Sequence, residues 1–432
     1  MQEGINYFET SNYLKNTFYY RLYQSCGDLE QQLNFGDSHD RHSGHTPCVY
    51  YKAAAEYGDG FAQRFGNLVL AEFLEIEAAE SKIKPGILPE AGFEFLWYEP
   101  AVPEQELSAL PAVRYFEDLG LLSIRESWQR DSKVLSIKCG YPGGRKQWQN
   151  SWRMYREEGI DCLSLSHHHP DNLSYIFARG SEFLTCEDGY NRNILPDNHN
   201  VILVDGQYTD ALDVNDVYTE SARIRLNADS DYPIEERYHG RVTHVETDHS
   251  IVIYKGETSG IYPDRLQMTE VSRLLFTDRL EFFIFIDICK SELPHQYRII
   301  SNTDLAAQSQ PDGSYRYPLE TGCIKYTVFS DSSIDSESYR QEVVSVMTTQ
   351  EPDKVCRTSI NTLAFETAGK VREQMFIQCF IFESDPVQLQ FDGEELRIVK
   401  AGKDYRLKWN EDKTVFTIEV SNGGRVKGYQ IQ

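Results

Sequence analysis

The chain has 432 residues, 40% of them hydrophobic, enough for two or three domains around a large buried core. Its formal net charge of −24 argues against a nucleic-acid partner, because neutralising phosphates needs a basic face. No segment is long and apolar enough to span a membrane. MQEGINYFET has neither a basic start nor an apolar run, so no signal peptide is visible. The nine Cys include no C-x-x-C pair and several lie in apolar runs (Cys139, Cys289, Cys379), as expected of reduced thiols acting as small hydrophobes.

In chain order, residues 7 to about 78 are expected to be mainly helical. Leu14, Phe18 and Leu22 recur every fourth residue, as do Phe65, Val69 and Phe73. The polar, turn-rich NFGDSHDRHSGHTP between them is expected to be a loop. Pro85, Pro89, Pro100 and Pro103 punctuate a connecting region that contains the aromatic FEFLWY. From about residue 111 short β runs take over: KVLSIKCG, SYIFARG, EFLTCE, NVILVDG, SARIRLN, SIVIYKGE, EFFIFIDIC, CIKYTVFS, EVVSVMT and MFIQCFIF. Turn residues separate them, which predicts a large antiparallel β-sandwich. The closely spaced LQFDG, ELRIVKAG, YRLKWNED and TVFTIEVSNG predict a small terminal β unit. The expected boundaries are 1–110, 111–385 and 386–432.

Residues 166–206 concentrate the chemistry. His167, His169 and Asp171 form H-x-H-x-D, Asp188 follows a strand, and His199 precedes an apolar run. His169, Asp188 and His199 fit a three-ligand zinc site, with water or a further side chain as fourth ligand; a metal-free polar cluster is the alternative. If the segment is a strand, His167 and His169 share a face and His168 points away. His167 is then placed to contact substrate or simply to pack beside the site. His39, His42 and His45 have no standard ligand spacing and fit a cleft-lining or solvated loop. Tyr7 and Trp128 cannot be singled out by chemistry alone.

Taken together, these motifs resemble the heparinase II/III-like polysaccharide lyases and the related alginate and oligoalginate lyases. The resemblance runs through EGINY and NFGDS, Arg125 and Trp128 in IRESWQRDSKVLSIKCG, H-x-H-x-D, EDGY, HNVILVDG, and Arg273 and Asp287 in VSRLLFTDRLEFFIFIDIC. It covers most of the chain and is strongest over residues 111–300. It implies a mainly β fold: a large antiparallel β-sandwich preceded by the C-terminal helices of an (α/α) toroid. It implies β-elimination on acidic, uronate-containing glycans. Tyr7 would be the general acid and base, His167 a cleft residue, and a mainly structural Zn2+ would sit on His169, Asp188 and His199.

The family's upstream Asn-His pair has no counterpart before Tyr7, so the chain looks like the C-terminal part of such an enzyme. Two rival functions follow. One is a non-catalytic carbohydrate-binding module; the other is a zinc-dependent hydrolase, which would need a general base that no carboxylate clearly supplies. The particular glycan, a homo-oligomeric state, and a periplasmic, secreted or cytoplasmic location in a bacterium are all left open.

Overall fold

The computed structural model describes residues 6–38, 47–73, 91–165, 168–187, 189, 195–210, 212–214, 222–224, 234–320, 322–342, 359–383 and 387–432. The protein is mainly β, built from antiparallel sheets with a few helices, most of them near its start. The predicted helical region contains Asn12–Gln24, Pro47–Tyr57 and Gly60–Leu68. Ser11 caps the first of these by accepting from Leu14 N, and Asp59 caps the third by accepting from Phe61 N and Ala62 N. Phe18 closes this small core against Tyr50 and Phe65, with ring centroids 5.9 and 6.0 Å away.

Two helices depart from the expected pattern. FEFLWY lies largely within the helix Ala91–Trp97, and Arg145–Arg153 forms a helix within the stretch read as a succession of short β runs. The second buries Trp148 and Trp152, four residues apart, and exposes its charges. That i, i+4 spacing is its sequence signature.

Among the described residues, one sheet has nine strands. Its path runs Val113–Phe116, Leu121–Arg125, Lys133–Lys138, Tyr175–Arg179, Glu182–Thr185, Tyr297–Thr303, Ser359–Thr367 and Ile334–Glu342; Ile202–Val204 pairs with Tyr297–Thr303. A second, eight-stranded sheet has Met268–Asp278, Phe282–His295 and Val371–Phe382 at its centre. The main core lies between these sheets, with Leu135, Tyr175 and Phe177 facing Phe283, Phe285 and Phe380. The Tyr175–Phe285 and Phe177–Phe283 rings are 4.1 and 4.9 Å apart.

The terminal β unit, a five-stranded sheet over Val387–Ile431, covers the other face of the second sheet. There Ile284, Ile286, Ile377 and Ile381 meet Leu396, Ile398, Leu407 and Ile418. This explains why EFFIFIDIC and MFIQCFIF are nearly continuous apolar runs. A strand covered on both faces has no polar side to alternate with. Each such side chain contributes roughly 1.5–3 kcal/mol on burial.

The outer face of the nine-stranded sheet is also covered. Cys26, Leu33 and Phe35, from the segment after the first long helix, pack on Leu121, Val134, Ile176 and Phe183. Arg125 fastens that segment by donating to Ser25 O at 2.6 Å and Cys26 O at 3.0 Å, with its guanidinium 4.5 Å from the Trp128 ring centre. The same segment carries Asp37 to the chemically richest part of the molecule. Among the described residues, no helix is long and apolar enough to cross a membrane.

Candidate metal centre

Three ligand-type side chains converge at the junction of the nine-stranded sheet and the residue 25–38 segment. They are His169, Glu187 and His199, each fully buried. One donor atom from each lies within 4.8 Å of the others. His169 sits in a turn, not on a strand, so strand alternation does not govern residues 168–173. His168 is buried as well. Glu187 follows the strand Glu182–Thr185, and His199 follows a short helical turn, Pro196–Asn198.

His169 and His199 present their rings nearly edge to face, centroids 5.1 Å apart. His169 Nε2 is 2.7 Å from Asp37 Oδ1, a carboxylate–imidazole contact that fixes the ring and directs ligation to Nδ1. His199 Nδ1 approaches Glu187 Oε2 to 3.1 Å without hydrogen-bond alignment. Two ligand atoms on one tetrahedral zinc, with bonds of about 2.0–2.1 Å, stand about 3.3 Å apart. The Glu187 carboxylate accepts no aligned hydrogen bond from the described residues. A buried carboxylate so placed is costly unless a cation balances it. The donor set therefore fits a divalent transition metal.

Asp171 does different work. It takes two contacts of 2.7 Å from Lys138 Nζ. Burial raises its pKa, but Lys138 and the nearby imidazoles outweigh this and hold the carboxyl below its ordinary value. Burial, reinforced by Lys138, pushes the His168 imidazole down to about 3, so it is neutral at physiological pH.

The segment from the helical region closes over the ligands. Asn34 Nδ2 donates to Glu187 O at 3.1 Å. Gly189 adopts φ +69°, and a Cβ there would lie 2.7 Å from Ser38 O. Only glycine allows that approach without displacement.

Of the residues expected at the site, the structure unites His169 and His199. Asp188, next to Glu187, lies outside the described residues, as do His167, His39, His42 and His45. Tyr7 is exposed at the start of the four-residue helix Tyr7–Thr10. Glu187 and Asp37 were not singled out from sequence. Glu187 was legible only as the neighbour of Asp188, and nothing in the spacing links Asp37 to His169, 132 positions away.

No protein-family model matches the sequence. Solved structures do resemble it. The crystal structure of heparinase III is similar at 12% identity and a TM-score of 0.58, over 97% of this chain and 54% of that one. Heparan sulfate lyase HepC from Pedobacter heparinus is similar at 11% identity and a TM-score of 0.55, over 96% and 52%. The chain thus has the fold of heparinase III-type polysaccharide lyases, and it spans about half the length of the structures it matches.

Proposed function

We propose that this protein is a polysaccharide lyase that cleaves uronate-containing glycans by β-elimination. The observation that carries the proposal is the similarity to heparinase III along 97% of the chain. In this reading residues 1–110 form the helical part facing the substrate, 111–385 the sandwich, and 386–432 a terminal β unit. The substrate is an acidic glycosaminoglycan or related uronate polymer. The C5 proton passes to a base and its electron pair forms the C4–C5 double bond. The C4–O bond breaks, and the departing oxygen takes a proton from an acid, so no water is consumed.

Tyr7 is the proposed proton-transfer residue, and His167 the proposed cleft contact. The exposure of Tyr7 leaves its hydroxyl accessible to a large polymer. His169 and His199, with Glu187 or its neighbour Asp188, would hold the metal, zinc by its nitrogen and oxygen donors. The metal would supply fixed positive charge that orders the surrounding loops. This chain's own residues do the rest: Asp37 orients His169, Asn34 holds the Glu187 backbone, and Lys138 balances Asp171.

The test is incubation of the full chain with heparan sulfate, heparin, alginate and hyaluronan, following ultraviolet absorbance of the unsaturated product. Activity lost in Tyr7→Phe is the expected result. Absence of product from every glycan, with binding retained, would refute the lyase proposal in favour of a carbohydrate-binding module.

A further inference from the structure

We infer that Arg273 is the positioning residue of the metal centre, an inference that rests on the metal reading above. Arg273 lies on the central strand Met268–Asp278 of the second sheet, fully buried, and its hydrogen bonds go to Asp287 and to main-chain carbonyls. Its Nη1 donates to two main-chain carbonyls across the sandwich, Leu173 O at 2.6 Å and Asn200 O at 2.7 Å. Leu173 ends the turn that carries His169, and Asn200 is the residue after His199. One guanidinium nitrogen therefore ties together the two backbone segments that present the imidazoles.

The guanidinium is itself held. Nε and Nη2 donate to Asp287 Oδ1 and Oδ2 at 2.6 and 3.1 Å, a two-pronged pair that fixes its plane. Gln378 Nε2 donates to Asp287 Oδ2 at 2.6 Å, and the hydroxyls of Tyr326 and Tyr175 donate to Gln378 Oε1 at 2.8 and 3.2 Å. The Tyr175 and Phe285 rings flank the cation, 5.1 and 5.4 Å from its centre.

A buried ion pair alone is weak evidence of a stabilising role. Here the cation has a further task. Leu173 has φ +70°, a left-handed conformation unusual for leucine, and its carbonyl is one that Arg273 takes up. Asn200 extends the clamp to the third ligand. Its Nδ2 donates to Tyr175 O at 2.7 Å and to Cys186 O at 3.1 Å, beside Glu187. Lysine at position 273 would keep the charge opposite Asp287 but lose the planar fork that serves Asp287 and both carbonyls at once.

The experiment compares wild type, Arg273→Lys and Ile284→Ala in the full chain. Ile284 is buried on the opposite face of the second sheet and provides a matched loss of global stability. Zn2+ affinity is read by competition with a chromophoric chelator, ligand geometry by the visible spectrum of the Co2+ form, and backbone opening by amide hydrogen exchange. Arg273→Lys should weaken Zn2+ binding by about 10-fold or more, the scale of lost outer-shell support. It should also alter the Co2+ spectrum and speed exchange in residues 169–174 and 199–203, while Ile284→Ala does none of these.

Wild-type affinity and spectrum in Arg273→Lys, or equal losses in Ile284→Ala, would overturn the inference. If Arg273→Lys does not fold, Asp287→Asn decides by the same criteria, because it loosens the guanidinium without removing it. If wild type takes up no metal, the metal reading fails, and selective exchange in the two segments alone decides whether Arg273 is their clamp.

Discussion

Asn200 should be among the most sensitive positions in the chain. Its side chain is fully buried and makes three hydrogen bonds: two donated, to Tyr175 O and Cys186 O, and one accepted from Asn302 N at 2.6 Å. Asn200→Ala removes all three and leaves the partners in a dry core. At about 1 kcal/mol for each bond, plus the desolvation of stranded groups, the loss should be about 3–5 kcal/mol. Urea denaturation of the full chain measures it as a fall in midpoint at unchanged slope.

Asn200→Asp sharpens the test at nearly constant shape. A carboxylate oxygen would then face two carbonyl oxygens, and desolvation would raise the pKa of the new group above its unfolded value of about 3.9. With a raised folded pKa, the unfolded chain releases its proton first, so stability falls as pH rises above about 3.9. The deficit should be smallest in acid, where the protonated acid can donate one bond, and widest near neutrality. A loss below about 1 kcal/mol for Asn200→Ala, or a pH-independent deficit for Asn200→Asp, would refute the idea that this side chain joins the ligand-bearing segments.

Two further outcomes follow from the same geometry. Purified protein should carry about one equivalent of transition metal by elemental analysis, the number one buried donor set can hold. His169→Ala, His199→Ala and Glu187→Gln should lose it, with a lower melting temperature that chelation reproduces in wild type; full metal content in all three variants would count against the site. Asp278 secures the terminal sheet, accepting from Lys403 Nζ and Tyr405 Oη, each at 2.6 Å. Burial raises the Asp278 pKa, but Lys403 and the hydroxyl donors outweigh it and hold the carboxyl below its ordinary value. Its contribution is therefore present above about pH 3.9 and lost as the pH falls toward the depressed value. Asp278→Asn should lower stability at neutral pH by about 1.5–3 kcal/mol and flatten the acid limb of the urea-midpoint curve; parallel acid limbs would contradict this.

Much of the architecture was legible in local pattern. Helical spacing at Phe18 and Leu22, and turn-bounded β runs from residue 111, are local signals that survive folding because the same side chains meet the core. His169 and His199 stood out because imidazoles are few and theirs lie in one polar stretch. Helix Arg145–Arg153 was obscured by its position among strands, and the aromatic FEFLWY by the prolines around it.

What the sequence by itself determined is the set of faces that must be buried and the residue types able to hold a metal. The tertiary structure alone decided who meets whom. Asp37 reaches His169 from 132 positions away, and Arg273 reaches Leu173 from 100 and Asn200 from 73. Those contacts are made by chain crossings, whose distances in space bear no relation to distances along the backbone. The continuous apolar run of Phe282–Ile286 likewise announced burial, but only the docking of the terminal sheet against it showed what covers its second face. Hydrophobic pattern specifies that a face must be covered; shape and connectivity choose the partner.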